Sequence, residues 1–131
     1  AGAANAGGHF GGMLGGAAWN AATVVMVAPP SSGTLTIGAS NDAYSLNIIV
    51  SGFTGSGPYT LNTGVARQAT LIKTGTTQNW GGPGAQSTGT ITVTSSTASR
   101  VAGNYDITLL PNGGGAAGNV QLTGTFDVGI P

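Results

Sequence analysis

The stretch VAGNYDITLLPNGGGAAGNVQLTGTFDV, residues 101–128, decides how the chain folds. Its two ends, VAGNYDITLL (101–110) and VQLTGTFDV (120–128), share one pattern: Gly, any residue, an aromatic, Asp, then a β-branched residue. They carry Asp106 and Asp127, two of the 3 acidic residues in the protein. The repeat is either a pair of catalytic carboxylates or one structural unit used twice. Pairing the ends as antiparallel strands, with Leu109 opposite Val120, sets Tyr105 opposite Gly124 and Phe126 opposite Gly103. Each ring then covers the bare backbone of a cross-strand glycine. The aspartates flank these inward aromatics, so the period of two turns both to the other face. Asp106 faces Thr123, and Asp127 faces Ala102 with Arg100 on the diagonal, which predicts an Arg100–Asp127 ion pair. Carboxylates so placed do not flank a common bond, as a glycosidase pair must. Pairing accounts for the repeat without catalysis.

Working outward, the rest of the chain has the same character. ATVVMVA (22–28) stops at Pro29-Pro30, which cannot continue a ladder. TLTIGAS (34–40), AYSLNIIVS (43–51), YTLN (59–62), RQATLIK (67–73) and TGTITVTSS (88–96) are further strand-like runs bounded by Gly, Pro, Ser, Asn or Asp. GTTQNWGGPGAQS (75–87) reads as a loop with Trp80 inside it, and PNGGGAAGN (111–119) joins the last two strands. About eight short strands with frequent turns and no helical period predict an all-β fold, an antiparallel β-sandwich of Ig-like or jelly-roll-like form. Alternation predicts a core of Val25, Val27, Leu35, Ile37, Leu46, Ile48, Val50, Ile91, Val93, Val101, Tyr105, Ile107, Leu109, Val120, Leu122, Phe126 and Val128.

Composition narrows the function classes. The 131 residues fit one domain. Charged residues make up 5%, against about 25% in an ordinary soluble domain. Three cations cannot build the basic face of a nucleic-acid binder. With no Cys and one His, thiolate and zinc sites are not expected. His9 lies in a glycine tract, where a catalytic imidazole would lack a carboxylate to orient it. Asn41-Asp42 reads as a turn in preference to a calcium loop. Lys73, the sole lysine, carries no sign of a crosslink. No catalytic residue, metal ligand or cofactor is expected, and the chain is read as a non-enzyme. A surface of near-zero charge favours association with copies of itself or hydrogen bonding to neutral partners. No run approaches the roughly 18 apolar residues of a spanning helix. The start at Ala is read as the end left by removal of a signal peptide, which predicts an extracellular or cell-surface protein.

Residues 1–18, AGAANAGGHFGGMLGGAA, are read as a Gly/Ala-rich N-terminal arm, and residues 19–131 as the sandwich domain. As a strand, the arm places Phe10 and Leu14 on one face and Met13 and Trp19 on the other. Trp19, Trp80, Tyr44 and Tyr59 are candidates for a sugar-stacking platform, although core packing is the commoner role of such rings. Trp80, an aromatic in a polar loop, is the candidate ligand-loop residue.

An ordered set of motifs points to a family. They are Trp19-Asn20-Ala21, LTIGASN (35–41), LNIIVSGFTGSGPYTLN (46–62), TGTITVTS (88–95), RVAGNYDITLL (100–110) and VQLTGTFDV (120–128). The set resembles a family of small bacterial secreted proteins and lipoproteins classed as a domain of unknown function. That resemblance implies an exported β-sandwich and no particular reaction. The lipid-accepting Cys common near the mature N-terminus of such proteins is missing here. A first strand as rich in glycine as HFGGML pairs either within its chain or with a neighbour. The expected function is a structural subunit of an extracellular filament or surface assembly. Phe10, Met13, Leu14 and Trp19 of the arm would add to a neighbouring subunit, making the partner a second copy. The alternative is an exported binding module for a neutral glycan or a cell-surface partner.

Overall fold

A computed structural model describes residues 9–28, 33–61, 67–82, 87–97 and 100–129, the side chains of 23–28 excepted. These residues form twelve strand segments and no helix: β1 (His9–Leu14), β2 (Ala17–Asn20), β3 (Thr23–Ala28), β4 (Thr34–Ser40), β5 (Tyr44–Ser51), β6 (Gly57–Leu61), β7 (Arg67–Lys73), β8 (Asn79–Gly81), β9 (Ser87–Ser96), β10 (Arg100–Leu109), β11 (Pro111–Gly113) and β12 (Val120–Gly129). Two antiparallel sheets of six strands pack as a sandwich, ordered β2-β1-β12-β10-β9-β6 and β11-β8-β7-β5-β4-β3. No described helix is long and apolar enough to cross a membrane.

Period-two patterning makes the core. In β4, Leu35, Ile37 and Ala39 are buried, and the residues between them are half-buried. The same alternation runs through β5 and β10. The expected core is buried throughout the described side chains, except that Val120 is half-buried. Val25 and Val27 lie outside them. Phe10, Leu14, Trp19, Phe53, Tyr59, Leu61, Leu71 and Trp80 complete the core.

The chain crosses between the sheets at six of the eleven links between described strands, among them β2–β3 and β5–β6. Between β2 and β3 the link is Ala21–Ala22, where the Ala21 amide donates to Phe10 O and the Ala22 amide to Ser40 O. Between β5 and β6, the Tyr59 hydroxyl accepts from the Thr54 amide at 3.0 Å and donates to Gly55 O at 2.6 Å, bracing the turn.

Four segments exceed the eight expected strands, and each has a physical reason. β1 and β2 come from the arm. Gly15 and Gly16 join them with φ of 61° and 88°, the left-handed values of a two-residue type I′ hairpin turn. That turn restarts the alternation, so Trp19 is buried on the same face as Phe10 and Leu14 while Met13 is exposed. The expected pairing of Met13 with Trp19 on one face is thereby corrected. β8 and β11 lie in the two segments read as loops and pair with each other across a bulge at Asn112. Three-residue segments are too short to show a period. Residues 9–18 of the arm are also no separate region, and residues 1–8 lie outside the described ones. β1 is hydrogen-bonded to β2 on one side and β12 on the other, and the boundary expected at 18/19 falls inside β2.

Candidate functional site

The densest constellation of expected residues lies where β1 meets β12 and β10. Cross-strand pairing sets Tyr105 opposite Gly124 and Gly103 opposite Phe126, as the sequence predicts. β1 extends both rows, with Phe10 opposite Phe126 and Gly12 opposite Gly124. β2 adds Trp19 opposite Gly12. One inward row therefore reads Trp19–Gly12–Gly124–Tyr105, two rings separated by two bare glycines. The Phe10 ring fills the space, stacked on Tyr105 with centroids 4.6 Å apart and on Phe126 at 6.0 Å. Trp19 meets Phe10 edge-on at 6.3 Å.

The glycines are required by close approach. A Cβ on Gly12 would stand 2.0 Å from Thr123 O, and one on Gly124 would stand 2.0 Å from Gly11 O. Sequence reasoning missed Gly12, although its spacing from Phe10 and Leu14 repeats the alternation that marks Gly124.

This block is almost wholly apolar. Burial pushes the Tyr105 hydroxyl up from its ordinary value of 10 to about 12. The Trp19 indole Nε1–H is buried with no hydrogen-bond partner in the described structure. An unpaired buried donor costs about 1–3 kcal/mol.

The outer face of the same sheet carries the charged residues of β10 and β12. Arg100 Nε donates to Asp127 Oδ1 at 2.6 Å, the ion pair expected from the register. Both side chains are substantially exposed, at 37% and 48%. We expect a double-mutant cycle with Arg100→Ala and Asp127→Asn to give a coupling of about 0–1 kcal/mol in denaturant unfolding. His9 lies opposite Asp127 and places Nε2 3.2 Å from Thr125 Oγ1. Asp106 faces Thr123 and accepts from Gln121 Nε2 at 3.1 Å. The two aspartates are four positions apart in register, about 14 Å at the strand rise. That is beyond the carboxylate spacing of retaining and inverting glycosidases, roughly 5–9.5 Å. Hydroxyl rows occupy the rest of this face, with Thr60, Thr90, Asp106 and Thr123 aligned across four strands.

The expected aromatic platform does not form. Trp80 belongs to β8, not to a loop, and is 5% exposed. Its indole Nε1–H donates to Gly118 O at 3.0 Å, and its ring tilts against Tyr44 at 6.4 Å. A ring this deeply buried offers no face to a sugar, which corrects the ligand-loop reading. Tyr59 is buried in β6, stacked on Phe53 at 5.3 Å with the Arg67 guanidinium over its ring at 5.4 Å. Trp19 and Tyr59 lie at opposite edges of one sheet and Tyr44 and Trp80 in the other, so the four rings do not converge. Asn41 does form the expected turn, its Oδ1 accepting from the amides of Ala43 and Tyr44.

No curated protein and no solved structure matches this chain. A family does match, described as Domain of unknown function (DUF6252), over residues 7–129. That span includes β1 through β12, the arm strands and their glycines among them. The chain belongs to the DUF6252 family.

Proposed function

We propose that this protein is a non-enzymatic structural subunit of an extracellular filament or surface assembly, with copies joined by β-strand addition. One observation carries the reading: all four edge strands lack charge. β2 (AAWN), β3 (TVVMVA), β6 (GPYTL) and β11 (PNG) contain no Lys, Arg, Asp or Glu. Sheet proteins that remain single commonly guard their edges with such residues, because a bare edge is a template for another strand. Here Arg67, Lys73, Arg100, Asp106 and Asp127 lie on interior strands, and Asp42 lies in a turn. Pro58 in β6, Pro111 and a bulge at Asn112 in β11, and a bulge between Met26 and Ala28 in β3 interrupt the edges. With zero net charge, no long-range repulsion opposes association. The resemblance of its motifs to those of bacterial secreted proteins and lipoproteins supports a place outside the cell.

Size-exclusion chromatography with light scattering and negative-stain electron microscopy, at neutral pH over a concentration series, test the reading. Ordered oligomers that grow with concentration are expected. Dispersed single chains at every concentration would overturn it. They would favour the second reading, a module that binds a neutral glycan or cell-surface partner. The row Thr60–Thr90–Asp106–Thr123 supports that alternative, as hydrogen-bonding groups in register.

A further inference from the structure

We infer that the β1–β2 hairpin, residues 9–20, is an exchangeable unit, accepted beside β12 by a second copy of this chain. The inference rests on the self-assembly reading and specifies how the copies join. The hairpin is bound to the rest of its sheet by a single ladder, β1 on β12, since the β1–β2 ladder lies within the unit and moves with it. Its covalent tie to the other described strands is Ala21–Ala22, which crosses from the edge of one sheet to the edge of the other. Three large core side chains, Phe10, Leu14 and Trp19, belong to it. Withdrawing it turns β12 into an edge strand and bares Tyr105, Leu122 and Phe126 around Gly124.

The acceptor site selects its occupant. A strand laid against β12 must present glycine opposite Gly124, where a Cβ would stand 2.0 Å from backbone. It must also supply an aromatic two positions before that glycine and a branched apolar residue two positions after it. Phe10, Gly12 and Leu14 meet all three demands, so the fitting donor is this segment from another copy. Exchanged contacts repeat those within one chain, leaving the link and the concentration to set the balance. A two-residue link gives the hairpin little slack to fold back, a feature that invites exchange. Reciprocal exchange closes a dimer, and exchange handed from copy to copy extends a fibre.

A disulfide between positions 13 and 123 tests this. The chain has no cysteine of its own. Met13 pairs with Thr123 across the β1–β12 ladder, and Met13 is 44% exposed. Paired residues lie about 4.5–5.5 Å apart at Cα, within the range a disulfide spans. The full chain carrying Met13→Cys and Thr123→Cys is assembled under reducing conditions, oxidised, separated by size and run on a denaturing, non-reducing gel. The single-chain fraction should carry the bond internally, which shows that the pair is competent. Oligomers should run as covalent dimers and larger species, with mass spectrometry placing the bond between positions 13 and 123 of different chains. Oligomers whose chains run singly with an internal bond would overturn exchange and leave edge-to-edge assembly standing. Absence of oligomers at every concentration would overturn both.

Discussion

Phe10→Ala should destabilise the protein by about 3–5 kcal/mol in denaturant unfolding, the range for removing a fully enclosed aromatic ring. Phe10 is 1% exposed and contacts Trp19, Tyr105 and Phe126, so truncation removes the ring that the other three pack around. The space cannot collapse easily, because Gly12 and Gly124 already bring the β1 and β12 backbones as close as they can come. A domain whose whole stability is about 5–15 kcal/mol would lose a large part of it. Met13→Ala, three residues on but facing solvent, should change stability by about 0.5 kcal/mol or less. The contrast tests the fold itself, since an unattached glycine arm predicts two equally silent substitutions. A neutral Phe10→Ala would remove β1 from the sheet, and the exchange proposal with it.

How far the sequence foretells this structure depends on the local signal each segment carries. β4 and β7 begin and end where the runs 34–40 and 67–73 predict, and Leu35, Ile37 and Ala39 in one and Ala69 and Leu71 in the other fix which face is buried. The β10–β12 register is legible because two aromatic–glycine pairs must both be satisfied at once. HFGGML carries a weaker signal. Two of its six residues are glycines of low strand preference, and its place is set by the cavity above Gly124, which lies more than a hundred residues away in the chain. A single uninterrupted strand would put Trp19 on the face of Met13, but Gly15-Gly16 makes the turn that restarts the count. Trp80 illustrates another limit. GTTQNWGGPG is polar and glycine-rich around its one large ring, so nothing local distinguishes an exposed Trp from one covered by a distant segment. Here the carbonyl of Gly118 and the ring of Tyr44 enclose it.

Gly124→Ala should have an effect of comparable size by the opposite route, adding one methyl group where there is no space. The new Cβ would stand 2.0 Å from Gly11 O and 2.8 Å from the Tyr105 hydroxyl oxygen. The tyrosine can rotate away, but the Gly11 carbonyl belongs to the β1 backbone and moves only if the strand moves. Overpacking of this kind costs about 1–3 kcal/mol where side chains can yield, and more where backbone must. The cheapest relief is detachment of β1, which carries β2 with it and surrenders the burial of Phe10, Leu14 and Trp19. Amide hydrogen exchange should therefore show a local effect: protection lost across residues 9–20, with β4, β5 and β7 in the other sheet retaining theirs. Trp19 fluorescence should shift to the red as its ring meets water. Thr123→Ala, on the outer face of the same strand, should leave both measurements unchanged. Uniform loss of protection over both sheets would mean that the hairpin and body unfold as one cooperative unit. The hairpin could then leave only when the whole sandwich unfolds, and copies of the protein would have to assemble through edges that are already open.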